Sequence, residues 1–206
     1  MDSTLDIARR SLSDFLQRTK FPERFPNRLP PPSVERSARE TVRSWQLDIP
    51  EHIYRKHLDV GINIGFAAYQ DTQEEVQVAI ALFTFCATMI DEAVTKDTSA
   101  IREFVPRFCA GQPQLHPILT RFVETVGALR KFLPEYTANM VYPAMMAFVN
   151  EELFCREAAG NLTWRSNSEN FMEYSRLKSG MPEPYTACIW LCSAFPDASD
   201  YIQAFP

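Results

Sequence analysis

The sequence predicts an all-α protein whose helices pack around a shared core. Apolar residues recur three or four positions apart along most of the chain, and no segment shows the alternation typical of a β-strand. The chain has 206 residues, of which 46% are hydrophobic and 12% are aromatic. That composition allows one domain with a substantial core and excludes a disordered protein.

The first 49 residues predict short helices around a proline-rich strap. An amphipathic stretch within residues 1–21 has an apolar face formed by Leu5, Leu12, Phe15 and Leu16. Residues 22–33 contain five prolines, which exclude a helix because proline lacks an amide hydrogen and clashes with the preceding turn. Helical character resumes over residues 34–45.

Residues 50–206 predict one α-helical domain in which helix follows helix. After a helix over 51–69, a second helix has Glu74 and Glu75 in its first turn, where acids complement the helix dipole. Asp71 or Thr72 is expected to cap that helix. Further helices are expected over residues 99–109, 117–132, 134–159, 169–179 and 184–195, with a polar turn over 160–167.

Charge and hydropathy exclude several classes of partner. The net charge is −5 and no basic run occurs, so we expect no nucleic-acid partner. No apolar stretch reaches the roughly 18 residues that a membrane-spanning helix needs, and the N-terminal sequence lacks an apolar signal core. We therefore expect a cytoplasmic protein without a membrane span.

The sharpest local signal is an acidic pair at the end of an apolar run. Residues 78–90 carry no charge and lead directly into Asp91 and Glu92, with Asp97 close behind. Carboxylate oxygens in such a place suit Mg²⁺ that is also held by the phosphates of a substrate. Neighbouring helical residues point about 100° apart, so both acids can line one cavity only where the helix ends. The alternative is an ordinary solvated helix end.

A second signal is the segment YSRLKSG over residues 174–180. Arg176 and Lys178 bring two positive charges close to Gly180. A guanidinium grips phosphate with two parallel hydrogen bonds, and an ammonium adds a point charge. Acidic and cationic groups on separate helices that face one cavity are what a Mg²⁺–diphosphate site requires. The alternative is a basic helix face that ends in a glycine cap.

Together these residues resemble a known family. The run that ends in Asp91 and Glu92 resembles the first metal-binding motif of class I terpene synthases, and YSRLKSG resembles the segment that carries their diphosphate-sensing arginine. His116-Pro117 and the helix with Glu151-Glu152 resemble the fungal trichodiene synthase branch in order and approximate spacing. The resemblance covers about residues 50–185 and implies a class I terpenoid synthase-like helical bundle.

The resemblance also implies an activity. These enzymes bind farnesyl diphosphate with Mg²⁺, ionise it by loss of diphosphate, and cyclise the carbocation in an aromatic-lined pocket. By position, Asp91 is the expected catalytic metal ligand, with Glu92 in the second acidic place and Asp97 as a further ligand. We therefore expect a Mg²⁺-dependent sesquiterpene cyclase that acts on a prenyl diphosphate.

The remaining site residues follow from the same resemblance. Arg176 would be a catalytic residue that donates to the diphosphate, with Lys178 as a weaker partner and Gly180 near the kink that senses ionisation. Phe66, Phe83 and Phe85 are candidates for the pocket lining, because aromatic faces stabilise cations. The alternative for these three rings is plain core.

One family motif is not found in this sequence. The second metal motif, Asn-Asp-x-x-Ser-x-x-x-Glu, has no match: Asn150-Glu151 is followed at the later positions by Phe154 and Ala158, which do not bind Mg²⁺. We therefore expect a bundle without the C-terminal helices of the family, whose exposed apolar faces favour a homodimer. The alternatives are a catalytically inactive relative and a helical interaction module.

Overall fold

The computed structural model describes residues 4–18, 29–92, 98–158, 168–197, 199 and 201–204, and these residues form helices and turns without a strand. The predicted all-α class is therefore confirmed. The helices are α1 (Thr4–Arg18), α2 (Pro32–Ser44), α3 (Glu51–Ala67), α4 (Glu74–Asp91), α5 (Ser99–Arg102), α6 (Phe104–Cys109), α7 (Pro117–Leu129), α8 (Glu135–Ala158), α9 (Glu169–Gly180) and α10 (Pro182–Ala187). A turn of 3₁₀ helix follows at Ile202–Ala204.

Helix α4 lies at the centre of the core. Nearly every residue from Ile80 to Ile90 is buried, and α2, α3, α7 and α8 all pack against this helix. A helix that is apolar on all sides is stable only when neighbours cover every face. The uncharged run predicted from the sequence is thus the middle of the protein, and its acidic end emerges where the core stops.

Two glycines bring α3 unusually close to α4. A Cβ added at Gly61 would lie 2.3 Å from the carbonyl oxygen of Ala81, and one at Gly65 would lie 2.6 Å from the carbonyl oxygen of Gln77. Both distances are well inside van der Waals contact, so only glycine allows this approach. The α3–α4 pair is therefore a fixed frame for whatever its ends carry.

Helix α10 is tied to the same frame by tyrosine hydroxyls. Tyr69 Oη donates a hydrogen bond to the Tyr185 carbonyl oxygen at 2.8 Å, and the Tyr185 hydroxyl lies 3.1 Å from Thr84 Oγ1. The Tyr185 ring also packs edge-on against Phe83, with centroids 5.6 Å apart. These contacts hold the segment that follows α9 against the centre of the bundle.

The predicted cap of α4 is wrong. Neither Asp71 nor Thr72 caps the helix, because Gln73 takes the N-cap position and makes no side-chain cap hydrogen bond. The Thr72 hydroxyl instead donates to the Tyr69 carbonyl at 2.8 Å. Gln77, inside the helix, donates from Nε2 to three carbonyl oxygens of the preceding turn at 3.0–3.3 Å. A buried amide therefore organises the turn in place of a cap.

The single helix predicted over residues 99–109 is wrong because it divides at Glu103 into α5 and α6. Pro106 explains the break. A proline has no amide hydrogen, and its ring clashes with the carbonyl four residues earlier, at Arg102. The helix consequently stops at Arg102 and starts again at Phe104.

The helix predicted over residues 184–195 is wrong beyond Ala187. The amides of Ile189 and Trp190 donate to carbonyls only three residues earlier, which closes tight turns. The Cys192 amide donates to the Phe132 carbonyl oxygen at 2.9 Å, in the turn between α7 and α8. A long-range backbone hydrogen bond thus replaces the local one that would continue the helix.

The N-terminal region largely follows the prediction. α1 is helical, and most of the proline-rich strap lies outside the described residues, as does the turn predicted over 160–167. The prediction that residues 22–33 contain no helix is wrong at residues 32 and 33. Helix α2 begins at Pro32, where the missing amide hydrogen costs nothing. Val34, Ala38 and Val42 are buried, and the domain division at residue 49 stays a prediction.

Within the described ranges, no helix combines the length and the apolar character that crossing a membrane requires.

Candidate functional site

Asp91 faces a buried acid from another helix. It is the last residue of α4 and is exposed, and its carboxyl group lies within hydrogen-bonding reach of the Glu152 carboxyl on α8. Glu152 itself is only 5% exposed. Burial, followed by the charge of Asp91, raises the pKa of Glu152 to about 7, while Arg156 acts in the opposite direction. Glu152 is therefore the member of this pair whose surroundings favour its protonated form.

Arg156 fastens the acidic end of α4 to α8. Its Nη2 donates to the Ile90 carbonyl oxygen, in the last turn of α4, and lies 3.6 Å from Glu152 Oε2. A cation at a helix C-terminus also interacts favourably with the helix dipole. The last turn of α4, which carries Asp91, is therefore held by a contact from α8.

Glu92 points away from this pair. Its carboxylate accepts a hydrogen bond from Lys56 Nζ of α3 and lies 3.8 Å from His57 Nε2. The hydrogen bond from Lys56 is the main reason that the pKa of Glu92 is lowered, while burial lowers the pKa of His57. The adjacent acids thus diverge: Asp91 faces α8 and Glu92 faces α3.

Glu151, next to Glu152, connects α8 to α9. It is 6% exposed, and its Oε1 accepts a hydrogen bond from Ser175 Oγ. The thiol of Cys155 lies 3.9 Å from the same oxygen. Ser175 directly precedes Arg176, so α8 contacts the acidic end of α4 and the arginine-bearing helix within one turn.

Arg176 is exposed on α9. It lines an open apolar groove of about 620 Å³ with Met172, Glu173 and Leu177. Within the part of the chain that the structure describes, its guanidinium forms no ion pair. A cation without an internal partner is available for an external anion.

Lys178 and Gly180, the other two predicted site residues of the YSRLKSG segment, differ from Arg176. Lys178 Nζ lies 5.5 Å from the centroid of the Tyr174 ring, a cation–π contact within α9. It also borders a small cavity of about 140 Å³ between α8 and α9. Gly180 is the last residue of α9, but the left-handed conformation falls on Met181, with φ 46° and ψ 52°. The left-handed residue that ends the helix is therefore one position beyond the predicted glycine.

The structure brings together only some of the predicted site residues. Asp91 meets Glu152, Glu92 is separated from them by its pairing with Lys56, and Asp97 lies outside the described residues. Among the described side chains, no three of the His, Cys, Asp and Glu types form a group that could hold a metal ion.

Two of the three predicted pocket aromatics, Phe83 and Phe85, lie on different sides of α4. Phe83 stacks on Phe122 with centroids 5.5 Å apart, whereas Phe85 lies 6.1 Å from Trp45. Residues two apart on a helix point about 200° apart, so Phe83 and Phe85 cannot line the same cavity. Phe66 is half-buried. A lining role for Phe66 and for one of the other two rings stays a prediction.

The motifs did not single out Glu152, Arg156 or Ser175 as site residues. A signal for Glu152 does exist in the sequence. Val141, Met145, Phe148 and Val149 form the buried stripe of α8, and position 152 continues it at helical spacing. A carboxylate at a core position is unusual enough to indicate a site. No comparable local signal exists for Arg156 or Ser175.

Curated relatives extend this picture. Monoterpene synthase 25 of Postia placenta is 29% identical over 206 residues, which are 99% of this chain and 60% of that protein. The (E)-beta farnesene synthase of Metarhizium brunneum is 25% identical, over 85% of this chain and 54% of that protein. Alpha-cuprenene synthase COP6 of Coprinopsis cinerea is 27% identical, over 82% of this chain and 51% of that protein.

The curated relatives of this chain are fungal terpene synthases. This supports the terpene synthase family predicted from the two motifs, while the trichodiene synthase branch stays a prediction. No protein-family model matches the chain. The chain spans between about half and 60% of the length of these terpene synthases.

Proposed function

We propose that this protein acts as a Mg²⁺-dependent terpene synthase that ionises and cyclises a prenyl diphosphate, with farnesyl diphosphate as the first candidate. The observation that carries the proposal is the Asp91–Glu152 pair: Asp91 follows the uncharged run of α4, and Glu152 lies on α8, which packs against the arginine-bearing α9. The names of the fungal relatives support the same reaction class.

The acidic pair fits a magnesium ion. Mg²⁺ is usually held by one or two protein carboxylates together with substrate phosphates and water, and not by a complete protein cage. The raised pKa of Glu152 reflects its burial first and then the negative charge of Asp91, which Arg156 only partly compensates. A divalent cation would relieve it. Asp91 and Glu152 would hold the ion, while Glu92 remains with Lys56.

The protein's own groups have distinct tasks in this proposal. Asp91 and Glu152 supply the oxygen ligands, and bound Mg²⁺ would supply the Lewis acidity that favours loss of diphosphate. Arg176 donates hydrogen bonds to the diphosphate and stabilises the charge that develops on it as the carbon–oxygen bond breaks. Lys178 is a second, weaker donor, because it already contacts the Tyr174 ring.

The apolar surroundings protect the other product of ionisation. A carbocation is captured by water unless apolar side chains exclude it, and aromatic faces stabilise its charge. Phe83 and Tyr185 belong to an aromatic cluster beside α4 that offers such faces. We propose Phe83, and not Phe85, as the pocket residue, because Phe83 lies on the side of α4 that faces α10.

The test is product analysis by gas chromatography and mass spectrometry. Purified protein is incubated with Mg²⁺ and either farnesyl or geranyl diphosphate, beside Asp91→Asn and a matched Asp71→Asn control at the other end of α4. We expect a hydrocarbon from the unmodified protein and from Asp71→Asn. Asp91→Asn should reduce its formation at least about a hundredfold, the scale on which loss of a charge-stabilising group slows catalysis.

Other outcomes would point elsewhere. Hydrocarbon from Asp91→Asn at the unmodified rate would refute the role of Asp91. Binding of diphosphate without any product would favour the alternative of a catalytically inactive relative. Neither binding nor product from folded protein would favour a helical interaction module. Size-exclusion chromatography of the same sample tests the predicted homodimer.

A further inference from the structure

A hydrogen bond to a buried carboxyl group joins α8 to the helix that carries Arg176. Ser175 Oγ donates to Glu151 Oε1, and Glu151 is 6% exposed. A hydrogen bond in surroundings of low polarity is electrostatically stronger than one in water. This contact therefore contributes more to holding α9 than a surface hydrogen bond would.

Other described contacts also join α9 to α8. Every side chain described between residues 170 and 180 is at least partly exposed. An edge-on ring contact joins Phe171 to Phe154 of α8, with centroids 5.5 Å apart. Leu177 and Lys178 border the small cavity against α8. Because no side chain described between residues 170 and 180 is fully buried, the hydrogen bond from Ser175 to the buried Glu151 restrains the rotation of α9 about its own axis.

The position of Ser175 determines where Arg176 points. Adjacent residues on a helix leave its axis about 100° apart, so fixing the Ser175 hydroxyl against α8 fixes the direction of the next side chain. Glu152, adjacent to Glu151, faces Asp91 in the same way. One turn of α8 thus sets the acidic and the cationic halves of the candidate site relative to each other.

We propose that Glu151 is a positioning residue: it holds Ser175 and thereby directs Arg176 toward a bound diphosphate group. A carboxylate repels a diphosphate, so Glu151 acts through Ser175 and not by contact with the anion. This inference rests on the proposed function, because it takes Arg176 as the anion donor.

The first measurement is the affinity for inorganic diphosphate in the presence of Mg²⁺, by isothermal titration calorimetry. Ser175→Ala removes the hydroxyl, Ser175→Thr keeps it, and Ser179→Ala is the matched control. The Ser179 hydroxyl bonds only within α9, to the Arg176 carbonyl at 3.5 Å. We expect roughly tenfold weaker binding in Ser175→Ala, recovery in Ser175→Thr, and no change in Ser179→Ala.

A second variant tests whether Glu151 acts through Ser175. Glu151→Gln keeps an acceptor oxygen but loses the charge, so it should weaken binding less than Ser175→Ala does. The double variant should bind diphosphate no more weakly than Ser175→Ala alone, because both changes act on the same hydrogen bond. Additive losses would contradict the proposed route. Glu157→Gln, an exposed glutamate on the same helix, controls for the loss of one negative charge.

Hydrogen exchange of the α9 amides separates this inference from the proposed function. We expect faster exchange over residues 169–180 in Ser175→Ala and not in Ser179→Ala. Unchanged affinity in Ser175→Ala, with an unmodified protein that binds diphosphate, would overturn the inference. An unmodified protein that binds no diphosphate would overturn the proposed function. Faster exchange in that case would locate the failure in the proposed function, because α9 would still depend on Ser175.

Discussion

The carboxyl groups of Asp91 and Glu152 lie within hydrogen-bonding reach although they come from different helices and Glu152 is buried. Two acids this close are not both ionised without cost. Arg156 contacts Glu152 and the last turn of α4, and so compensates part of the charge. The remaining imbalance makes stability and ligand binding at this site depend on pH and on cations.

The stability of the protein without metal should depend on the ionisation of Glu152. Its pKa rises from an ordinary 4.5 to about 7 on folding. Between these values the folded state binds a proton that the unfolded state has lost, so stability falls as pH rises from about 4.5 and levels off above pH 7. Glu152→Gln removes this loss. Relative to the unmodified protein, the free energy of unfolding of Glu152→Gln should be little changed at pH 4 and higher by up to about 3 kcal/mol at pH 8.

Urea denaturation at several pH values measures this difference. Glu157→Gln provides the control on the same helix, since its side chain is 37% exposed. A Glu152→Gln gain that is equal at pH 4 and pH 8 would show that folding does not raise the pKa of Glu152.

Asp91 and Glu92 should respond differently to substitution despite being neighbours. Glu92 is already paired with Lys56, whereas Asp91 faces Glu152. Asp91→Asn should weaken Mg²⁺-dependent diphosphate binding at least about tenfold more than Glu92→Gln does. Calorimetric titrations of both variants provide the comparison. Equal losses would mean that Glu92 leaves Lys56 to join the metal site.

The glycine contact between α3 and α4 predicts a strong stability effect. Gly61→Ala places a Cβ 2.3 Å from a backbone oxygen that cannot rotate away, so it should destabilise the protein by at least about 2 kcal/mol. Gly127→Ala is the matched change: α7 offers open space there, and alanine favours a helix by about 0.5–1 kcal/mol. The melting temperatures of the two variants should therefore shift in opposite directions from that of the unmodified protein. A neutral Gly61→Ala would show that the helices separate easily.

A glutamine just after α2 offers a stabilising substitution. Gln46 is exposed and has a φ of 49°, a conformation that favours glycine. Gln46→Gly should stabilise the protein by about 1 kcal/mol because it relieves the left-handed backbone after the helix end. Gln112→Gly, in an exposed loop without a positive φ, should give no gain. Denaturant midpoints of the two variants test the assignment.

Local patterns were sufficient for the parts of the fold that depend on one segment. The uncharged run of α4 predicted a helix, and the acids after Ile90 correctly marked its end. The same reasoning failed where a distant residue intervenes. The chain leaves the helical path after Ala187 because of a hydrogen bond to Phe132, far away in the sequence.

The candidate site shows the same division. Asp91 could be selected from sequence because its position after an apolar run is a local property. Its partnership with Glu152, and the pairing of Glu92 with Lys56, depend on which helices pack together. Proximity in the sequence suggested that the two acids act jointly, whereas the geometry of a helix end separates them.

The seam between α3 and α4 has a further consequence for ligand binding. Most helix pairs meet through side chains, which change rotamer to absorb small displacements, but at Gly61 and Gly65 backbone meets backbone. Helix α4 therefore cannot slide along α3 when a ligand reaches Asp91. Adjustment falls to α8 and α9, which are joined to each other by side-chain contacts that include the hydrogen bond between Ser175 and Glu151. Ligand binding at this site should therefore displace α8 and α9 and leave α3 and α4 in place.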